Sequence, residues 1–503
     1  MGHKVIFISM SILALSTASV TAQDYSENIF TSHEDVGVCK LKGDLQYDAE
    51  VQEYTISGSG DNIWFGGDQF HFAWKKLKGD FILSASAQFI GEGSHLHRKA
   101  GWMIRESLDP NSEHISATVH GDGLTSLQYR LSAGADMSER KSGVVSPDVI
   151  QLERKGNRFI FSCAVMGEPF DTVMITNDAM TGEVYAGLFI CSHDNNVIEK
   201  ARFCNVRITR PAKDDFVPYR DFIGSNLEVM DVETGLRKVI YQSPVSIQAP
   251  NWSADGKYLI YNSGGLLYKF DLDKGEPEVI NSGFATSNNN DHVLSFDGKM
   301  LGISHHVATE ENSSIVFTLP VEGGTPKRIT PLGPSYLHGW SPDGKYLTYT
   351  ADRHDNFDIY KISVRKKKEI RLTDAPGLDD GPEYSPDGKH IYFNSVRTGT
   401  MQIWRMKPDG SQQEQLTFDE YNNWFPHVSP DGKRIVLLSF SPEVKSDDHP
   451  FYKHVYIRLM PVDGGTPLVI AYLYGGQGTI NVPSWSPDSK KIAFVSNSDI
   501  ELP

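Results

Sequence analysis

Trp340-Ser341-Pro342-Asp343-Gly344-Lys345 recurs along the second half of the chain, and that recurrence decides the fold. Its copies are Trp252-Ser253-Ala254-Asp255-Gly256-Lys257, Leu294-Ser295-Phe296-Asp297-Gly298-Lys299, Tyr384-Ser385-Pro386-Asp387-Gly388-Lys389, Val428-Ser429-Pro430-Asp431-Gly432-Lys433 and Trp485-Ser486-Pro487-Asp488-Ser489-Lys490. From serine to serine the steps are 42, 46, 44, 44 and 57 residues, close to the roughly 40 to 45 residues of a four-stranded propeller blade. The longest step holds an insertion at 443–452. Proline presets φ and glycine accepts φ > 0, so Ser-Pro-Asp-Gly predicts a tight turn between two strands of a meander.

The ends of the repeat region predict closure. It opens with third- and fourth-strand patterns at 226–231 and 237–241, and it ends after only two strands, near 491–495. Together the ends complete one blade, giving a six-bladed propeller closed by a shared last blade, which removes the free sheet edges of an open array.

These turns, with Ile403-Trp404-Arg405-Met406 or Ile359-Tyr360-Lys361-Ile362 strands and Arg371-Leu372-Thr373 or Gln415-Leu416-Thr417 blade ends, resemble the TolB-type propeller family over about 226–503. The resemblance implies an envelope location and a family that includes protein-binding propellers. The related oligogalacturonate lyases are seven-bladed and bind a metal through histidines; their catalytic residues find no one-to-one match here. The motif residues make turns and cores, so they speak for fold rather than activity.

The first half shows strand patterns without helical periodicity at 81–89, 100–105, 115–120 and 187–190, which predicts a β-sandwich. With 70–75, 98–106 and 201–206 it resembles concanavalin-like lectin/glucanase jelly rolls. The expected organisation is a signal peptide at 1–22, the sandwich at 23–210, a linker at 211–225 and the propeller at 226–503, all-β throughout.

The composition is globular: 503 residues, 39% hydrophobic, with a formal charge of −16 that argues against a nucleic-acid partner. Lys4, the apolar run at 5–15 and the small residues at 20–22 read as an export signal, too short to span a membrane, and no second such run follows. A periplasmic or secreted protein without a transmembrane segment is expected. Cys39, Cys163, Cys191 and Cys204 fit either disulfides or buried thiols, since spacing fixes no pairing.

Strand direction places the chemistry. The Ser-Pro-Asp-Gly turns lie on one face of the propeller, and the loops entering each inner strand surround the channel mouth on the other. Three residues before the serine, four units carry proline, whereas two carry His292 and His338. Neutral imidazoles with carboxylates suit a divalent ion such as Mn, Zn or Ca, so His292, His338, His305, His427 and Asp291 form the expected metal set. His338, His292 and Arg353 are the candidate catalytic residues. Asn290, Tyr336, Asp380, Asn423, Trp424, Arg397 and Gln477 are the candidate substrate contacts. Against each stands a structural role: a junction histidine bonded to a neighbouring loop, or a loop arginine serving the repeat. His95, His97 and Arg98 read as a solvated loop, with a glycan groove as the alternative.

Two functions follow. One is a carbohydrate-active protein binding an oligosaccharide or polysaccharide, an acidic one for preference, with metal-assisted elimination at the mouth. The other is a non-catalytic envelope scaffold binding a protein or glycan.

Overall fold

All six turn copies close in the same way. The serine Oγ donates to the aspartate Oδ1 at 2.6 to 2.8 Å. It also accepts the N–H that begins the next strand, from Tyr258, Met300, Tyr346, His390, Arg434 and Lys491 in turn. Glycine takes the left-handed position in five copies; in the sixth Ser489 adopts it at φ 62°, where a side chain carries strain.

The computed structural model describes residues 27–500, so the export-signal reading lies outside the described residues. Five blades are four-stranded, the first beginning at Gln248–Trp252, then at Asn288–Leu294, Ser335–Trp340, Asp379–Tyr384 and Asn422–Val428. The sixth joins both ends of the region: Lys491–Asn497 pairs with Ser225–Asp231, which pairs with Arg237–Ser243, and a Trp485–Ile492 bridge supplies the innermost contact. The propeller is therefore six-bladed and closed by the last strand. Alternating apolar residues pack between blades, as where Leu337, Trp340, Leu347 and Tyr349 meet Val293 and Val316.

The N-terminal half is a sandwich of two seven-stranded antiparallel sheets. One centres on Lys99–Arg105 between Val184–Cys191 and His114–His120; the other centres on Phe81–Ile90 between Val149–Lys155 and Glu199–Thr209. Trp102, Phe81, Leu83, Phe159 and Phe161 fill the space between them. All four cysteines are unpaired thiols, and burial pushes Cys39 up to about 12 and Cys191 to about 11. No helix among the described residues is long and apolar enough to cross a membrane.

Sandwich and propeller share polar contacts. Arg207 of the last sandwich strand meets Glu228 of the closing blade at 2.8 Å, and Arg237 meets the same carboxylate at 2.8 Å, with Glu228 fully buried. Gln52 exchanges hydrogen bonds of 2.9 and 3.0 Å with the Val239 backbone. The second sheet of the sandwich thus seats on the outer edge of the closing blade.

Candidate functional site

Each inner strand bulges as it enters the mouth, and the bulge decides which side chain turns inward. Between the third blade's first two strands, Leu337 pairs with Tyr349 and Gly339 with Thr348, leaving His338 as the extra residue. In the second blade Asn288 pairs with His305 and His292 with Ile303, so the extra residues fall at 289–291 and His292 stays in regular pairing. A bulge re-aims side chains. The same distance from the serine therefore yields opposite directions: His338 faces the mouth, whereas His292 faces the first blade, its Nε2 donating to the Ile260 carbonyl at 3.2 Å. Burial lowers His292 to about 4, so it is a neutral ring built into a blade junction.

The mouth is a cavity of about 1150 Å³. Of the expected residues, Asn290, Asp291, Tyr336, His338, Asp380 and Gln477 line it. The others stand elsewhere. His427 lies between blades, Nδ1 facing Glu383 at 2.6 Å and Nε2 donating to the Ile480 carbonyl. His305 accepts the Ser287 N–H at 3.3 Å and packs against Phe284 and Phe317. Arg353 pairs with Glu369 at 3.1 Å and donates to the Pro334 and Leu332 carbonyls. Arg397 pairs with Asp379 at 2.7 Å and lies over Trp404. Asn423 bonds Ser439 and Asp419, and Trp424 is buried against Phe425 and His449.

The expected convergence of His292 with His338 is thus absent, because only one of the two occupies a bulge. The metal set fares likewise. Among the described residues, the group of three side chains whose ligand atoms lie within 4.8 Å of one another is His97, His120 and Asp122, in the sandwich.

What the mouth does hold is a carboxylate–imidazole–carboxylate floor. His338 Nε2 faces Asp380 Oδ1 at 3.2 Å, and the same carboxylate accepts from Thr350 Oγ1 (2.6 Å) and the Gly381 N–H (2.8 Å). Burial opposes charge on all three groups, with different outcomes. It raises Asp291 to about 6, Asp380 adding to the repulsion while His338 opposes it. For Asp380 burial is outweighed by the His338 charge and these hydrogen bonds, which hold it near 2. For His338 burial is outweighed by Asp380 and Asp291, which raise it. Two carboxyls of one site are thereby driven apart, as in sites that move protons or hold a cation.

Apart from Phe425, which lies in a loop that strand direction sets at the mouth, the rim was missed from the sequence. His449 and Phe451 come from the insertion, Tyr219 and Phe222 from the segment before the propeller, and Phe425 from the fifth blade's bulge, where its φ is 53°. The insertion's length was a signal of its position; its inward turn was not. Asp447 adds a further acid, and no lysine or arginine lines the cavity among the described residues.

The TolB beta propeller domain model (PD40) matches residues 333–446. The uncharacterized protein Atu1656 of Agrobacterium fabrum is 48% identical over 278 residues, 55% of this chain and 94% of that protein. A structure from Agrobacterium tumefaciens, provisionally named TolB, is 47% identical, covering 56% of this chain and all of that one, with a TM-score of 0.53. TolB from Acinetobacter baumannii aligns at 20% identity over 50% of this chain and 64% of that one, with a TM-score of 0.40.

Proposed function

The chain belongs to the TolB-like β-propeller family, and from that premise we propose that it is an exported, non-catalytic envelope scaffold whose propeller mouth receives an uncharged or cationic segment of a partner protein. The observation that carries this reading is the lining of the mouth. Asp291, Asp380 and Asp447 line it with no lysine or arginine among the lining residues, Lys445 meeting Asp447 at 2.8 Å from outside the lining, under an aromatic rim of Tyr219, Phe222, Phe357 and Phe451. Such a cavity attracts a lysine or N-terminal amine and covers apolar side chains, and it repels a uronate or sulfate. The sandwich, by its resemblance to concanavalin-like jelly rolls, is the glycan-holding module of the proposal.

Photo-crosslinking in the envelope tests it. A crosslinker at Asn290 or Gln477, in the mouth, is expected to trap a discrete protein adduct; one at Lys299, beside a turn on the opposite face, is expected not to. Asp380→Asn should weaken the mouth adduct. Equal adducts from both faces would overturn the reading.

The split between Asp291 and Asp380 across His338 favours a second reading, proton transfer on a bound oligosaccharide. It predicts turnover lost in Asp291→Asn. Screening neutral and acidic oligosaccharides for reducing ends and for absorbance of new double bonds tests hydrolysis and elimination together.

A further inference from the structure

Four histidines gather at one end of the sandwich, on three loops distant in sequence. His95 and His97 lie between strands Phe81–Ile90 and Lys99–Arg105, His120 ends strand His114–His120, and His193 follows strand Val184–Cys191. Their ring centroids are 4.2 Å apart for His95 and His193, 5.6 Å for His97 and His193, and 5.9 Å for His97 and His120. Asp122 joins them from the turn after His120, and the ligand atoms of His97, His120 and Asp122 are mutually within 4.8 Å. Bonds of about 2.0–2.2 Å at tetrahedral angles need ligand atoms roughly 3.3 Å apart, a short closure for two exposed side chains.

The loops are held in place from below. Glu199 takes the Arg98 guanidinium at 2.7 Å and the Ser94 N–H at 2.6 Å, fixing the 91–98 loop to the last strand. Backbone bonds from Asp122 to Leu96 and from Gly121 to Arg98, both 2.9 Å, join that loop to the turn carrying Asp122. His193 sits at φ 63°, in the left-handed region that non-glycine residues seldom adopt.

The ring atoms are arranged for ligation. His120 Nδ1 is buried without a hydrogen-bond partner, while its Nε2 meets the Gln128 side-chain amide at 2.9 Å, and Gln128 contacts Ser126 at 3.2 Å. Turned so that its oxygen accepts the Nε2 proton, that amide is the outer partner a metal-bound imidazole requires. His193 Nδ1 is likewise buried and unpartnered. His95 Nδ1 accepts the His97 N–H at 3.0 Å, leaving its Nε2 free of that bond. One Asp122 oxygen accepts the Leu124 N–H at 3.0 Å. Charges of both signs stand around these rings, and one of them opposes a bound cation. The opposing charge is Lys99, opposite His120 across the strands, whose ammonium bonds Asn62 and the Ile63 carbonyl. Asp61 and Asp194 stand on the other side of the balance, near His193 and His95.

We propose that His97, His120 and Asp122 bind a borderline divalent metal ion, zinc(II) by the chemistry of its donors, with His193 or water completing the coordination. The site is separate from the propeller mouth and does not depend on what the mouth binds.

The test uses the full chain without a histidine tag, freed of metal by chelator, with zinc added in calorimetric titration and cobalt(II) followed by its visible absorption. One equivalent should bind with micromolar or tighter affinity, and cobalt should give the intense bands of a tetrahedral nitrogen–oxygen site. His97→Ala/Asp122→Asn, which alters two exposed side chains, should weaken binding at least tenfold while leaving metal-free thermal unfolding unchanged; His354→Ala should do neither. Absence of a binding equivalent below 100 µM zinc, or binding that survives the double variant unchanged, overturns the proposal.

Discussion

The two faces of the propeller follow opposite rules. On the turn face, six serine–aspartate pairs repeat at 2.6 to 2.8 Å, and each satisfies the backbone group beside it. On the mouth face the blades diverge: His338 and Asp291 turn into the cavity from bulges, while His292 and His427 turn into blade junctions. Where every copy is alike, the residues serve folding. Where copies differ, each must be asked separately whether it staples blades or faces the cavity, and within one face both answers occur.

The largest expected effect comes from a mouth-side residue that staples. Glu383 accepts from His427 at 2.6 Å and from the Val428 N–H at 3.2 Å, joining the fourth and fifth blades away from solvent. Glu383→Ala strands both donors, and breaking a buried pair in this way costs about 3–5 kcal/mol. Urea unfolding should show that loss with an unchanged slope. A loss below 1 kcal/mol would mean that the junction histidines are not structural.

Residues facing the cavity should behave differently, and with opposite signs. Asp291 is raised from 3.8 to about 6, roughly two units, or about 3 kcal/mol at 1.36 kcal/mol per unit. A raised carboxyl destabilises the fold as pH climbs from its unfolded value through 6, and fully above that. Asp291→Asn should therefore stabilise the protein by up to about 3 kcal/mol at pH 8, with the gain gone near pH 3.5. Asp380, depressed from 3.8 to about 2, contributes the reverse: stability present above about 4 and lost as pH falls through 2. Asp380→Asn should cost about 2 kcal/mol at pH 7 and lower the pH at which His338 titrates by NMR. Destabilisation of similar size by both variants would remove the charge argument for the mouth.

The contrast between faces also separates what the sequence revealed from what it hid. Turn chemistry is local: proline, glycine and a two-residue serine–aspartate bond act within six residues, so the blades, their number and their closure were readable from spacing. The sandwich was readable from strand alternation. Direction at the mouth is not local. Whether His292 or Asp291 faces inward depends on where the second blade's bulge falls against its partner strand, a register that no motif records. Asp291, Tyr336, His338 and Asp380 stand in loops that strand direction sets at the mouth, His338 and Asp291 being chosen also as metal ligands, and all four line the cavity. Arg353 and Arg397 were named for their charge, which Glu369 and Asp379 already engage. The histidine cluster of the sandwich joins residues 95 to 193 across loops, so a linear reading of His95 and His97 reaches a solvated loop or a glycan groove and no cluster.

The smallest effect sharpens the comparison from the other side. Ser341 Oγ donates to Asp343 at 2.7 Å and accepts from the Tyr346 N–H at 2.9 Å. In Ser341→Ala both partners lose that bond, but the Asp343 side chain is half exposed and water replaces it there. The expected loss is about 1 kcal/mol, the net worth of an ordinary hydrogen bond. The other five turns keep their bonds, and the mouth lies on the far face, so crosslinking from Asn290 should be unchanged. Ser341→Ala therefore separates a general loosening of the propeller from a specific role of the mouth. If it weakened the mouth adduct as strongly as Asp380→Asn, the cavity residues would be acting through fold stability, and the charged floor would have no claim to recognition.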